Sequence, residues 1–173
     1  MLRSLAVFFI EPTKAHYVAN ISRSICLSHT SVKRNLIRLV RLGLVEEKKE
    51  KKGSRKFPIY KAVMDNKVFR LHKRIHNLAS IFESGLIGFL EEKLSPKSIV
   101  LFGSYQRGED IESSDIDIFV ECKEEELDLR KFETQMHRKI ELHFRDNFAD
   151  YTKELKNNII NGIVLSGFLE GYK

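Results

Sequence analysis

The chain has 173 residues, enough for one ordinary domain or two small ones. Its composition, 42% hydrophobic and 31% charged, is that of a folded soluble protein, and no apolar run approaches the roughly 18 to 20 residues of a membrane span. The net charge of +6 conceals a split: residues 1–75 carry 18 Lys/Arg against 5 Asp/Glu, net +13, and residues 76–173 carry 12 against 19, net −7. That asymmetry predicts two modules with different partners, the basic one suited to a polyanion. Cys26 and Cys122 lie far apart, form no metal-type pair and fit a reducing cytoplasm, each as a small buried or half-buried residue.

Residues 2–10 predict a short buried helix rather than a leader. The apolar run is brief, and Glu11-Pro12 follows without a small-residue cleavage site. Residues 15–21 predict a second helix with Val18 and Ile21 inward. Ser28, His29, Thr30 and Ser31 offer N-caps for a stronger helix over 31–42, whose Val32, Leu36, Leu39 and Val40 recur at three-to-four spacing. Gly43 suits the stop. A strand opens at Leu44-Val45, a charged run follows over 46–56 with Gly53-Ser54 at its turn, and 57–63 return as a second strand.

Three helices and a hairpin with a basic tip, over residues 1–64, resemble a winged helix-turn-helix domain. LSHTSVKRNLIRLVRLGLV is similar to the recognition-helix region of small bacterial and archaeal regulators of that class. The resemblance implies duplex DNA as partner. Ser28, His29, Ser31, Arg34 and Asn35 would meet base edges, with Arg38 on the same helix. Lys48, Lys49, Lys51, Lys52, Arg55 and Lys56 would reach phosphates from the wing. The other reading is a solvated turn on a platform for protein docking or homodimerisation, and Glu46, Glu47 and Glu50 within the wing support it.

Residues 66–94 predict one long helix, or two in line with a break near Gly85 or Gly88, as a connector over 65–94. Phe69, Leu71, His72, His76, Leu78, Ile81, Phe82, Leu86, Ile87, Phe89 and Leu90 are expected mostly inward. His72 and His76 have metal-ligand spacing but no acidic or cysteine partner nearby, so they read as a helix-surface pair. Ser95-Pro96 ends the segment and opens a second module, residues 95–173.

That module is organised around residues 98–120, SIVLFGSYQRGEDIESSDIDIFV. An apolar strand runs into Gly103-Ser104. A polar stretch with Arg107 and Gly108 leads to a second strand bearing Asp115 and Asp117. Side chains alternate along a strand, so the two acids project together while Ile116, Ile118 and Val120 enter the core. Two carboxylates on one face call for a divalent cation, and Mg²⁺ accepts carboxylates together with phosphate oxygens. Gly103 lets backbone approach a phosphate, Ser104 can donate its hydroxyl to it, and Arg107 can grip it bidentately. Residues 139–144 alternate as well, with Ile140, Leu142 and Phe144 on one face and Glu141 with His143 on the other. Asp110 and Glu112 read as solvent-facing loop residues, and Tyr105 either lines a nucleotide site or packs locally. A surface helix is expected over 124–138 and a last helix over 151–161.

Gly-Ser, ten residues, then Asp-x-Asp is the signature of the DNA polymerase β-type nucleotidyltransferase superfamily, and the chain resembles its minimal members over residues 80–173. Arg107-Gly108, Ser114 before the first acid, and GIVLSG over 162–167 as a closing strand extend the likeness. The resemblance implies an α/β (α+β) fold with a small mixed sheet flanked by helices. It implies Asp115, Asp117 and Glu141 as catalytic and metal ligands, Glu141 standing where many relatives carry Asp. Gly103, Ser104, Arg107 and Ser114 would hold the nucleotide. The implied activity is that of an EC 2.7.7-type transferase, an adenylyltransferase using two Mg²⁺ ions and ATP or another nucleoside triphosphate, with attack on the α-phosphate and release of pyrophosphate. Minimal members often act as antitoxins that adenylylate a small helical ribonuclease toxin of the HEPN type, so such a toxin is an expected partner. Two other readings stand beside this: a DNA-binding regulator whose transferase fold senses nucleotide, and a pure docking module.

Overall fold

The computed structural model describes residues 1–145 and 152–170, in two compact units, 1–76 and 77–173. In the first, α1 (Leu2–Ile10) buries Leu5, Phe8 and Phe9, and α2 (Val18–Ser24) adds Ile21. α3 (His29–Arg41) buries Val32, Leu36 and Leu39 and leaves Lys33, Arg34, Ile37, Arg38 and Arg41 exposed. Ser28 caps it, accepting from the Ser31 N–H at 3.3 Å. Its other end is a Schellman turn, with Gly43 N–H donating to Val40 O at 2.9 Å and Leu44 N–H to Leu39 O at 3.0 Å.

β1 (Val45–Lys52) and β2 (Arg55–Ala62) pair antiparallel across Gly53-Ser54. The base of this hairpin, Val45, Ile59 and Tyr60, is buried, while its tip is exposed. His16 bridges to Tyr60 through two backbone hydrogen bonds of 2.8 and 2.9 Å. The Tyr60 hydroxyl donates to Glu47 at 2.9 Å, and burial, with Glu47 beside it, pushes the phenol up to about 12. Cys26, expected to be at least half-buried, is exposed; it sits at φ +52° in the turn after α2.

The connector is two helices, α4 (Lys67–Ser84) and α5 (Leu86–Leu94), and the division between the units falls within α4. Asn66 caps α4, its side-chain oxygen accepting from Val68 and Phe69 N–H at 2.8 and 3.2 Å. The break is at Gly85, φ +78°, a left-handed conformation that a side chain disfavours. Gly88 lies inside α5 and breaks nothing. Phe69, Ile81, Leu86, Ile87 and Leu90 are buried as expected, but Leu71 and Phe82 are exposed, together with Val68 and Ile75. Residue type alone does not say which stripe of a helix faces inward. The His76 ring lies 5.2 Å from the Phe9 ring, and His72 and His76 join no metal-type cluster among the described residues.

The second unit is built on a four-stranded mixed sheet of order β5-β4-β3-β6. β3 (Ser98–Phe102) runs antiparallel to β4 (Ile116–Val120) and to β6 (Ile163–Gly167), and β4 runs parallel to β5 (Ile140–Phe144). α6 (Gly103–Arg107) follows β3, α7 (Arg130–Met136) lies in the β4–β5 crossover, and α8 (Lys153–Ile160) precedes β6. One sheet face packs Ile99, Leu101, Ile116, Ile118, Val120 and Ile140 with Leu86, Leu90, Tyr105 and Phe132. The other packs Val100, Phe102 and Phe119 with Ile159.

The expected helix over 124–138 contracts to α7, and 123–129 have no regular structure. Asp128 marks the helix start by accepting from the Arg130 N–H at 3.1 Å and from its guanidinium at 2.6 and 2.9 Å, contacts that hold its carboxyl down at about 2. The beginning of the last expected helix, at Tyr151, lies outside the described residues. Among the described residues, no helix is long and apolar enough to cross a membrane.

Candidate active site

Two strand ladders assemble the site. The antiparallel one sets Phe102, the last residue of β3, opposite Asp117; the parallel one sets Asp117 beside Glu141 and Phe119 beside His143. Asp117, Glu141 and His143 therefore share one face, as the alternation predicts, and Leu142 and Phe144 pack on the other. The ligand atoms of the three lie within 4.8 Å of one another. His143 Nε2 is 3.5 Å from Asp117 Oδ1 and 3.9 Å from Glu141 Oε1, and the Phe102 ring lies 5.1 Å from the imidazole, tilted by 58°.

Gly103 turns the chain from β3 into α6 with φ +75°. A Cβ there would lie 2.1 Å from Asp117 Oδ2, so the Asp117 carboxylate occupies the space a side chain would need. Ser104 is half-buried in the first turn of α6. Tyr105 is a core residue rather than a nucleotide contact: it packs against Ile116 and Ile118 in the cluster, and burial and the nearby Asp110 push its phenol up. Arg107 is exposed and donates to Glu109 at 2.8 Å. Ser114 closes the turn before β4, its hydroxyl oxygen accepting from the Ile111 N–H at 3.0 Å. Asp115 is exposed and stands one residue outside β4, not on it. It lines an open pocket of 600 Å³ with Glu112, Ser114, Glu133, His137 and Lys139.

Asp110 corrects the sequence reading most sharply. It is fully buried, with Oδ2 accepting from Arg138 Nη2 at 3.3 Å and Oδ1 from Asn77 Nδ2 at 2.8 Å. Asn77 also donates to the Tyr105 carbonyl at 2.9 Å. One buried carboxylate thus ties the end of α6, the loop carrying Asp115 and the α7–β5 junction to Asn77. Nearby, the Glu133 side chain accepts from the Ile140 N–H at 3.1 Å, fixing the first residue of β5.

The donor set fits a divalent cation. Two carboxylates side by side on a sheet face repel unless a positive charge lies between them. His143 Nε2 is sealed from solvent and makes no hydrogen bond, although the ring as a whole is partly exposed. A cation would satisfy both conditions. Sequence reasoning places His143 on the face of Glu141 without giving it a role; the shared parity is the signal.

In the first unit, His29, Arg34, Arg38, Lys51, Lys52 and Arg55 are exposed. Thr30, Lys33, Arg34, Ile37, Arg38 and Arg41 line a groove of 480 Å³ on α3. Ser28 and Ser31 hydrogen-bond each other in the cap, and Asn35 donates to Ser4 in α1 at 3.0 Å, so these three have structural partners.

Residues 83–165 match the family model described as nucleotidyltransferase domain. The matched span takes in β3, β4, β5 and the start of β6, with the Gly103 turn and the acids. Three proteins of Methanocaldococcus jannaschii, each named as a candidate protein adenylyltransferase, are similar to the chain. MJ1379 is 63% identical over 20% of the chain and 35% of its own length. MJ1215 and MJ0128 are each 52% identical over 27% of the chain, covering 54% and 47% of their own lengths. The chain thus spans about a third to a half of these curated relatives. No solved structure matches the chain. The family match and these partial likenesses support nucleotidyl transfer.

Proposed function

We propose that the chain is a divalent-cation-dependent adenylyltransferase, moving AMP from ATP to a hydroxyl on a protein. The acceptor oxygen forms a bond to the α-phosphorus, the bond to the bridging oxygen breaks, pyrophosphate leaves, and the acceptor proton passes to a carboxylate or water. The observation that carries the reading is the Asp117 carboxylate beneath Gly103 and beside Glu141. Asp115, Asp117 and Glu141 would hold Mg²⁺, which when bound neutralises the triphosphate and polarises the attacking and leaving oxygens. Ser104 and Arg107 would hold the triphosphate, Arg107 by exchanging its Glu109 contact for a phosphate, and Ser114 sets the loop that presents Asp115. A small helical ribonuclease toxin of the HEPN type is the acceptor that agrees with an antitoxin role. The relatives named for protein adenylyl transfer support a protein acceptor.

The test is incubation with Mg²⁺, ATP and candidate partner proteins. Label on the α-phosphate is expected to appear on a partner with one pyrophosphate released per transfer. Transfer of the γ-phosphate instead, or no transfer to any partner, contradicts the proposal.

A second reading concerns the first unit, which we propose binds duplex DNA as a winged helix. Its support is the outward face of α3, where Lys33, Arg34, Arg38 and Arg41 line one groove without an acid. Every phosphate that a protein ceases to neutralise lowers the slope of log affinity against log salt by about 0.9. Arg34→Ala with Arg38→Ala is therefore expected to reduce that slope by about 2 in a gel-shift or anisotropy titration. An unchanged slope would favour a docking or dimerisation surface.

A further inference from the structure

We propose that His143 is a nitrogen ligand of the cation held by Asp117 and Glu141, and that it tunes the site toward a borderline first-row cation, with Mn²⁺ as the working example, over Mg²⁺. The inference rests on the metal-dependent reading above and goes beyond it by naming a donor and a metal class.

The spacing is close to that of a coordination shell. In an octahedral shell of radius about 2.1 Å, neighbouring donors lie about 3 Å apart and opposite donors about 4 Å. His143 Nε2 stands 3.5 Å from Asp117 Oδ1 and 3.9 Å from Glu141 Oε1, within that range. Two features hold the ring in place. Its strand position is fixed by the Phe119–His143 register, and its tilt is fixed by Phe102 at 5.1 Å. Nε2 is shielded from water and makes no hydrogen bond; its near neighbours are the two carboxylates, which a shared cation would bridge to it. Asp117 and Glu141 keep 26% and 59% of their side chains exposed, so the remaining coordination positions open outward to water and phosphate oxygens.

Ligand chemistry then sets the preference. Carboxylate, carbonyl and water suit Mg²⁺, Ca²⁺ and Mn²⁺, whereas imidazole binds the later transition cations and is a poor donor to Mg²⁺. Mn²⁺ opens the first-row series that accepts imidazole, so replacing one oxygen of an all-oxygen set by imidazole raises affinity for Mn²⁺ more than for Mg²⁺. Glu141, longer than aspartate by one methylene, supplies the reach needed for its carboxylate to share a cation with a histidine two residues on.

The test uses the full chain, stripped of metal and titrated with Mn²⁺ under electron paramagnetic resonance, with Mg²⁺ as competitor. Mn²⁺ is expected to bind at least about tenfold more tightly than Mg²⁺. Pulsed measurements on the bound ion are expected to show coupling to a ¹⁴N nucleus. His143→Ala is expected to abolish that coupling and weaken Mn²⁺ binding about 10- to 100-fold, with Mg²⁺ affinity changed less than about threefold. His143→Gln, which restores an oxygen donor of similar size, is expected to bind Mn²⁺ without the nitrogen signal and with a narrowed Mn²⁺/Mg²⁺ ratio. Bound Mn²⁺ without nitrogen coupling in the unsubstituted chain, no Mn²⁺ binding at all, or an unchanged ratio in a folded His143→Ala overturns the proposal. The readout is independent of turnover. Nitrogen-ligated Mn²⁺ without transfer would sink adenylyl transfer and leave the ligand in place, and transfer with an all-oxygen ion would do the reverse.

Discussion

Asp117→Asn is expected to lower adenylyl transfer by at least about 10²- to 10³-fold in single-turnover measurements, the range seen when one preorganised electrostatic group is removed. The same substitution is expected to leave the melting temperature unchanged or slightly raised. The two effects have one source. Asparagine keeps the shape that fits under Gly103, where Asp117 Oδ2 fills the space of an absent Cβ, so the β3–α6 turn is undisturbed. It removes a negative charge from a ladder position directly beside Glu141, and that relieves a like-charge pair. A residue whose neutralisation damages activity and spares or aids stability is held for chemistry. Thermal denaturation followed by circular dichroism supplies the second measurement. A melting temperature several degrees lower would make Asp117 a structural residue and weaken the assignment.

Asp110→Ala is expected to cost about 3 to 5 kcal/mol, the penalty for stripping one partner from a buried ion pair. The Arg138 side chain is 4% exposed and that of Asp110 is 1% exposed, so water cannot replace the lost carboxylate. Asn77 loses an acceptor as well. Against a typical domain stability of about 5 to 15 kcal/mol, this single change takes a large share. Asp110→Asn, which retains an oxygen for Asn77 or Arg138, is expected to cost about 1 to 3 kcal/mol. Combining Asp110→Ala with Arg138→Met is expected to cost less than the two single changes together, because no orphaned charge remains. Urea denaturation followed by circular dichroism gives all four values. A cost under about 1 kcal/mol for Asp110→Ala would contradict a structural role for the pair. The consequence for function is indirect: the pair joins the loop bearing Asp115 to the junction that feeds β5, so its loss would displace Asp115 and Glu141 together.

These two residues mark the boundary of what local pattern reveals. Asp117 is legible because alternation along a five-residue strand is a local property, and Gly103 is joined to it by α6 and a single loop. The same alternation puts Glu141 and His143 on the correct face. Asp110 reads as solvent-facing because its partners, Asn77 and Arg138, lie 33 and 28 residues away, and no local signal announces them. Asp115 reads as a strand residue, but the strand begins one residue later. The shortening of α7 follows from Asp128 bonding the Arg130 N–H, a competition that apolar spacing cannot register. In the first unit, capping claims Ser28 and Ser31, and α1 claims Asn35, all of them residues whose types also suit base contacts.

The strand order has a consequence of its own. Among the described residues, Glu141 and His143 ride on β5, one of the two edge strands of the sheet, while Asp117 rides on interior β4. An edge strand is held by one ladder and opens before the centre does. The site is therefore divided between the part of the sheet that lets go first and a part that lets go late. A partial opening that leaves the core and most of the secondary structure intact would already separate the proposed cation ligands, so the proposed transfer would require the β4–β5 ladder to be closed. Conversely, an ion shared by β4 and β5 would act as a clasp on that edge, lending β5 a stability that its own hydrogen bonds do not supply.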